Sequence, residues 1–251
     1  MRTFVIGDIH GGLKGLEQLL ERIKVRNDDH LIFVGDYVDG WSESAKVVQF
    51  LIELATQTSC IFIKGNHDVW CENWLRTDKP ERVWLEHGGD GTMESYSQFS
   101  EEDKKIHLDF FEDMKLYHID DHDRLFVHAG FTSMHGVDWE TYESVFYFDR
   151  TLWEMALTMD KNIHSNSVKY PQRLKHYQTI YIGHTPTINF NSMEPMNAHN
   201  VWNVDTGAAF FGKLSALDID SKEVIQSDVL MELYPDEKGR NERSLYQILG
   251  R

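Results

Sequence analysis

The chain has 251 residues, 41% hydrophobic and 26% charged, and its 41 acids against 25 bases give a formal charge of −16. That length can bury one sizeable α/β core, and the acidic excess argues against nucleic acid or an anionic membrane as a partner. The excess fits a chain that binds cations, although a solubilising surface accounts for most of it. Cys60 and Cys71 form no CxxC pair, which speaks against a disulfide framework and for a reducing compartment. No apolar run reaches the length of a membrane span and no charged-then-apolar leader precedes the first strand, so the expected setting is the cytoplasm. The expectation is one domain over 1–251.

In chain order, "TFVIGDIHG" (3–11) is a short β-rich apolar run that stops at Asp8 and His10. Leu13, Leu16, Leu19, Leu20 and Ile23 then recur at three- and four-residue steps, which predicts an amphipathic helix. "HLIFVGDYVDGW" (30–41) is a second strand, ending in Asp36 and Asp39 with no Lys or Arg close behind. Two carboxylates at the mouth of a hydrophobic strand are costly unless something positive lies between them. Ser42 is placed to cap a helix carrying Val47, Val48, Leu51 and Leu54. "CIFIKGNHD" (60–68) is a third strand and ends at Asn66 and His67.

Residues 69–120 read as a helical insertion shaping one wall of a cleft. Trp70, Trp74 and Trp84 there, with Trp41, are read as core before a nucleobase-stacking surface. Ser100 and Asp103 form a capping box before Ile106, Phe110 and Met114. "RLFVHAG" (124–130), "TIYIGHT" (179–185) and "VWNVDTG" (201–207) repeat the strand pattern and bring His128 and His184. The tail, 231–251, is polar enough to pass for disorder.

The six runs are Gly-bounded and rich in Val, Ile and Phe, the pattern of strands buried on both faces. Helices separate the first three, so the beginning reads β-α-β-α-β, with ligands expected at the carboxyl ends of the strands. Asp8, His10, Asp36, Asp39, Asn66, His67, His128 and His184 would then gather at one edge of one sheet. Singly, each has an ordinary explanation as a helix cap or a turn residue. Together, their carboxylate, imidazole and amide groups suit divalent first-row metals, and the absence of thiolates excludes a cysteine-type zinc site.

"GDIHG", "GDYVDG", "GNHD", "HAG" and "GHT", in this order from 7 to 185, resemble the motifs of the calcineurin-like metallophosphoesterases. More narrowly, the chain resembles the branch of bacterial serine/threonine protein phosphatases (PPP) and symmetrical diadenosine tetraphosphatases. "VDTGAA" (204–209) extends the match, and "WLEHGGDGTMESY" (84–96) is similar to the segment after the third motif. The resemblance implies a four-layer α-β-β-α sandwich and a two-metal site. Asp8 and His10 would hold one ion, Asn66, His128 and His184 the other, and Asp36 would bridge them.

Mn²⁺ is the expected pair, with Fe or Zn as alternatives. Two such ions clamp a phosphate and turn a bridging water into the attacking hydroxide. His67, oriented by Asp39, would protonate the leaving oxygen. The implied activity is that of a protein-phosphatase-like phosphomonoesterase acting on a phosphorylated protein or a small phosphate. The alternatives are a dinucleoside polyphosphate (Ap4A-type) hydrolase and, from another class, a silent metal-binding scaffold, which would need neither Asp39 nor His67.

Two departures stand out. The family's second motif ends Asp-Arg-Gly, and its Arg grips the phosphate. Here Gly40 and Trp41 follow Asp39. A second family Arg follows a Leu-Trp pair beyond "HAG", where "FDRTLWEM" has Glu154 and Met155. Arg150 is the candidate phosphate-binding replacement, with a salt bridge to Asp149 or Glu154 as its ordinary alternative. Lys64, Arg76 and Arg82 are weaker candidates. Loss of both arginines implies an altered substrate more than a dead site.

Overall fold

Each of the six apolar runs becomes a strand of three or four residues that stops where the polar residues begin. The computed structural model describes residues 2–241. In these residues the strands are β1 (Thr3–Ile6), β2 (His30–Phe33), β3 (Ser59–Phe62), β4 (Tyr117–Ile119), β5 (Arg124–Val127), β6 (Thr179–Ile182), β7 (Met196–Ala198), β8 (Val201–Asn203), β9 (Lys213–Asp218) and β10 (Val224–Val229). The helices are α1 (Leu13–Ile23), α2 (Ser44–Ala55), α3 (Asn66–Thr77), α4 (Arg82–Leu85), α5 (Gly89–Ser95), α6 (Glu101–Glu112), α7 (Ser144–Phe148), α8 (Thr151–Thr158) and α9 (Leu230–Leu233).

The six runs do not share one sheet, as the sequence pattern suggested. They divide three and three between two mixed sheets, ordered β10-β9-β1-β2-β3 and β4-β5-β6-β8-β7. The pattern could not separate these cases, because strands buried on both faces read alike in one sheet or in two; β3, at the edge of the first sheet, is only partly buried. Within the first sheet β1, β2 and β3 are parallel, with Ile6 level with Phe33 and Phe33 with Phe62. In the second, β5, β6 and β8 are parallel. Level strand ends release the polar turns at one height.

Side-chain alternation builds three apolar layers. Phe4, Ile6, Leu31 and Phe33 pack with Leu16, Leu19, Val48 and Leu51 of α1 and α2. Val5, Ile32 and Val34 point the other way, onto Phe126 and Tyr181 of the second sheet. Leu125, Val127, Ile180 and Ile182 pack with Leu152, Trp153 and Ala156 of α8. The result is the four-layer α-β-β-α sandwich.

Local expectations divide. Ser100 caps α6 as expected, its Oγ accepting from Asp103 N at 3.2 Å while Asp103 accepts from Ser100 N at 2.9 Å. The buried face of α6, however, is His107 and Phe111, and Ile106 is 46% exposed. His107 is tolerated inside because Tyr96 Oη and Gln49 Oε1 each lie 3.0 Å from its ring nitrogens.

The span 69–120 is helical as far as Glu112 but gives Tyr117–Ile119 to the second sheet, antiparallel to β5. Ser42 does not cap α2, which starts at Ser44 without a side-chain cap. Its N–H and hydroxyl instead donate to Glu237, at 2.9 and 2.7 Å. The tail is packed as far as 241, and the rest of the 231–251 expectation lies outside the described residues. No helix of the described residues is long and apolar enough to cross a membrane.

Candidate metal centre and active site

The turns after β1, β2 and β3 interlock through the backbone. Ile9 N and His10 N both donate to Asp36 O, at 3.0 and 2.9 Å, and Gly11 N donates to Tyr37 O at 2.8 Å. Asp68 ties in the third turn, its carboxylate accepting from Asp36 N, Tyr37 N and Gly65 N at 2.8–2.9 Å. His10, Asp36, Asp39 and His184 all have φ between 52° and 69°. Left-handed backbone of this kind disfavours a side chain by about 1–2 kcal/mol, so the surrounding bonds must hold it. A Cβ on Gly65 would come within 2.1 Å of Asp36 Oδ1, and one on Gly183 within 2.1 Å of Asp8 Oδ1. Glycine is what lets these two carboxylates reach the cleft.

The turns of both sheets meet there. Asp36 Oδ2 lies 3.6 Å from His10 Nε2 and 3.4 Å from His128 Nε2. His128 Nε2 is also 3.3 Å from Asn66 Oδ1 and 3.2 Å from His184 Nδ1. The far nitrogens face backbone carbonyls: His128 Nδ1 at 2.8 Å from Val34 O, and His10 Nδ1 at 2.7 Å from Asp39 O. A proton on each Nδ1 leaves Nε2 as a lone-pair donor aimed into the cleft.

His10, Asp36 and His67 form one group of donor atoms within 4.8 Å of one another, and Asp36, His128 and His184 form a second. Asp36 belongs to both. Asp8 Oδ2 accepts from His184 N at 3.0 Å, and Asp8 Oδ1 and His184 Nε2 are buried without a hydrogen-bond partner. Burial, then Asp205 and Asp36, push the Asp8 carboxyl well above the usual range. Burial works against Asp36 too, but His128, the imidazole that Asp36 in turn raises, holds its carboxyl well below that range. Burial drives His10 down to about 3, keeping it neutral. Unpartnered acceptors, imidazole nitrogens aimed inward and crowded carboxylates fit a pair of divalent cations.

Asp39 is fully buried and faces a different task. Its Oδ2 accepts from His67 Nδ1 and Trp84 Nε1, both at 2.6 Å, and its Oδ1 from Thr92 Oγ1 at 2.5 Å. Burial lifts its carboxyl to about 7, with Thr92 and Trp84 opposing. Burial and then the Arg240 guanidinium push His67 well below its ordinary value. His67 Nε2 faces the cleft, 3.0 Å from Arg240 Nη1.

The sequence reads Trp84 as core. It is buried, yet its indole N–H is what holds Asp39. Nothing in the residue pattern marks Thr92 or Asp205, although both lie in the segments that carry the family resemblance. Asp205 lines the cleft and accepts from Gly207 N at 3.0 Å, with burial lifting it to about 6. Arg240, in the polar tail, gave no sequence signal at all.

Arg150 also lines the cleft, its Nη1 donating to Thr185 Oγ1 at 3.0 Å. Asp149 is occupied elsewhere, accepting from the N–H groups of Thr151 and Leu152 at 3.0 and 2.9 Å. The weaker candidates face away: Lys64 pairs with Glu72, Arg76 with Glu72 and Glu112, and Arg82 with Glu86. The cleft has a volume of about 470 Å³, and Trp70, His87, Phe148 and Phe210 give it aromatic walls. The Trp70 and Phe148 ring centroids are 5.7 Å apart.

A family model described as calcineurin-like phosphoesterase matches residues 1–211. The bis(5'-nucleosyl)-tetraphosphatase PrpE (asymmetrical) of Oceanobacillus iheyensis is 28% identical over 247 residues, covering 90% of this chain and 91% of that protein. The protein of the same name from Bacillus cereus is 28% identical over 255 residues, covering 94% and 98%. Among solved structures, a protein serine/threonine phosphatase from Saccharomyces cerevisiae superposes with a TM-score of 0.59 at 16% identity, covering 91% of this chain and 80% of its own.

Proposed function

The chain belongs to the calcineurin-like phosphoesterase family, a family of metal-dependent phosphoester hydrolases, and from that premise we propose that its substrate is a dinucleoside polyphosphate. The observation that carries this reading is the similarity to the tetraphosphatases over nearly their whole length. The cleft adds one apolar surface beside the donor cluster, the Phe148 ring, 44% exposed and packed on the buried Trp70. The protein-phosphatase alternative draws support from the fold alone, at 16% identity.

In this reading Asp8, His10 and Asp36 would hold one divalent ion and Asp36, Asn66, His128 and His184 the other, with Mn²⁺ the first ion to supply. When bound, the two cations would contribute Lewis acidity toward a phosphoryl oxygen and an activated water near neutral pH. Asp39, anchored by Trp84 and Thr92, fixes the His67 ring so that Nε2 points at the departing oxygen. Protonated on both ring nitrogens, with Nδ1–H kept on Asp39, His67 would give the Nε2 proton to that oxygen and be left neutral, the form that burial favours. Arg150 contributes positive charge on the opposite side, beside His184 and Thr185. A silent scaffold has no use for the Asp39–His67 pair.

The test is a substrate panel with added Mn²⁺: diadenosine tetraphosphate against phosphoserine and phosphothreonine peptides, with products separated by chromatography. The expected result is a higher kcat/KM on the dinucleotide, with ATP and AMP as products, as the name of the relatives indicates. Two ADP would assign the symmetrical cleavage. A clear preference for phosphopeptides would overturn the proposal and restore the phosphomonoesterase.

A further inference from the structure

The second motif places glycine where the family's phosphate-gripping arginine stands, and the backbone explains why. Gly40 has φ 149°, and a Cβ there would sit 2.8 Å from His10 O. No side chain fits. The next residue, Trp41, is buried, and its indole N–H donates to Ala208 O at 2.7 Å. One face of that indole is covered by the segment that follows β10.

Tyr234 stacks on the indole at 5.0 Å between centroids, with an interplanar angle of 19°. The Tyr234 hydroxyl donates to Glu43 at 2.6 Å and accepts from Lys14 N at 2.9 Å. Glu237 accepts from Ser42, as described above. Gly239, at φ 54°, lies so close that a Cβ would be 2.9 Å from Trp41 Cζ2. Arg240 N donates to Ala209 O at 2.9 Å, and the guanidinium passes 5.4 Å from the Phe210 ring centroid to end 3.0 Å from His67 Nε2.

Among the described residues lining the cleft, the permanent cations are Arg150 and Arg240. Arg240 lies on the His67 side, next to the nitrogen that meets the departing oxygen. A planar guanidinium there presents a fork matched to two phosphoryl oxygens, and a phosphate is a far stronger partner for it than a neutral imidazole. We propose that Arg240, delivered by the 234–240 segment docked on Trp41, is the residue that clamps the substrate's phosphoryl group beside His67. The Arg-Gly of the family motif is thus exchanged for Gly-Trp, with the tryptophan serving as the seat for an arginine from outside the 1–211 segment. This inference rests on the hydrolase reading of the cleft but not on the choice of substrate.

The experiment uses the full chain loaded with Mn²⁺ and inorganic phosphate as the probe, its affinity read by titration calorimetry and by inhibition of aryl-phosphate hydrolysis. Arg240→Ala is expected to weaken phosphate roughly tenfold or more, as for a charge-assisted contact, with metal content and Tm at wild-type values. Arg240→Lys should recover part of the loss, since it keeps the charge without the fork, and Arg82→Ala on the surface should change nothing. Phosphate affinity of Arg240→Ala within twofold of wild type would overturn the proposal. So would equal losses in the Ala and Lys variants accompanied by lower Tm or lost metal, which would make the residue structural. Failure of the wild type to cleave any dinucleotide would count against the substrate proposal and leave the phosphate comparison standing.

Discussion

Thr92→Val removes one hydroxyl from the wall of the Asp39 pocket and almost nothing else. Thr92 is 1% exposed, and Val occupies nearly the same volume. In the native chain its Oγ1 donates to Asp39 Oδ1 at 2.5 Å and accepts from Asp39 N at 3.1 Å. A hydrogen bond to a charged group contributes roughly 1.5–3 kcal/mol, and one pKa unit corresponds to about 1.4 kcal/mol. Losing this donor should therefore raise Asp39 by about one to two units from a value that burial has already lifted to about 7.

The sign follows directly. The ionised Asp39 carboxylate is the form that accepts from His67 Nδ1, and a higher pKa confines it to higher pH. The acid limb of the kcat/KM profile should move upward by about one unit or more, so activity near pH 7 falls roughly tenfold and recovers in alkaline buffer. Thr92→Ser, which keeps the hydroxyl, should restore the original limb. An unmoved acid limb in Thr92→Val would refute the claim that Thr92 sets the charge of the Asp39–His67 pair.

His67→Asn should lower kcat by roughly 10²–10⁴-fold on substrates with poor leaving groups, with metal content unchanged. The loss should shrink on nitrophenyl phosphate, and equal losses on both would remove His67 as the proton donor. Asp36→Asn should reduce bound metal from about two ions per chain, read by elemental analysis, and unchanged content would rule out the shared carboxylate. Lys64→Ala breaks a pair with Glu72 whose side chains are only 12% and 10% exposed. Stability should drop by about 1–3 kcal/mol, a Tm shift of roughly 2–4 °C per kcal/mol, while kcat/KM stays level. A fall in kcat/KM at unchanged Tm would instead put the Lys64 ammonium in the cleft.

The strands and the donor cluster were legible because both depend on local pattern. A short run rich in Val, Ile and Phe and bounded by Gly is the pattern of a strand, and the polar residue after it then lies at the strand's carboxyl end. Which sheet a strand joins is not local. Val127 and Ile182 differ from Ile6 and Phe33 in no property a sequence displays, yet they belong to the other sheet. The supports of the site failed to show for a related reason. Trp84 looks like any core tryptophan, because its N–H reaches Asp39 across 45 residues of chain, and His107 breaks an apolar stripe while being fully satisfied inside. Arg240 was least visible, since a polar tail carries no periodicity and its docking depends on the faces of Trp41 and Phe210.

The candidate donors come from both sheets: Asp8, His10, Asp36 and Asn66 from one, His128 and His184 from the other. Between the sheets lies only a layer of side chains, with Phe126 and Tyr181 stacked at 4.9 Å near its middle. The sheets are the jaws of a caliper, and these residues are the shim that fixes the gap. Trimming Ile32 or Tyr181 by a few atoms would leave each jaw intact and shift the donors of one sheet against those of the other. The choice of ion could thus be retuned from the middle of the oily layer, by substitutions that touch neither a ligand nor the substrate.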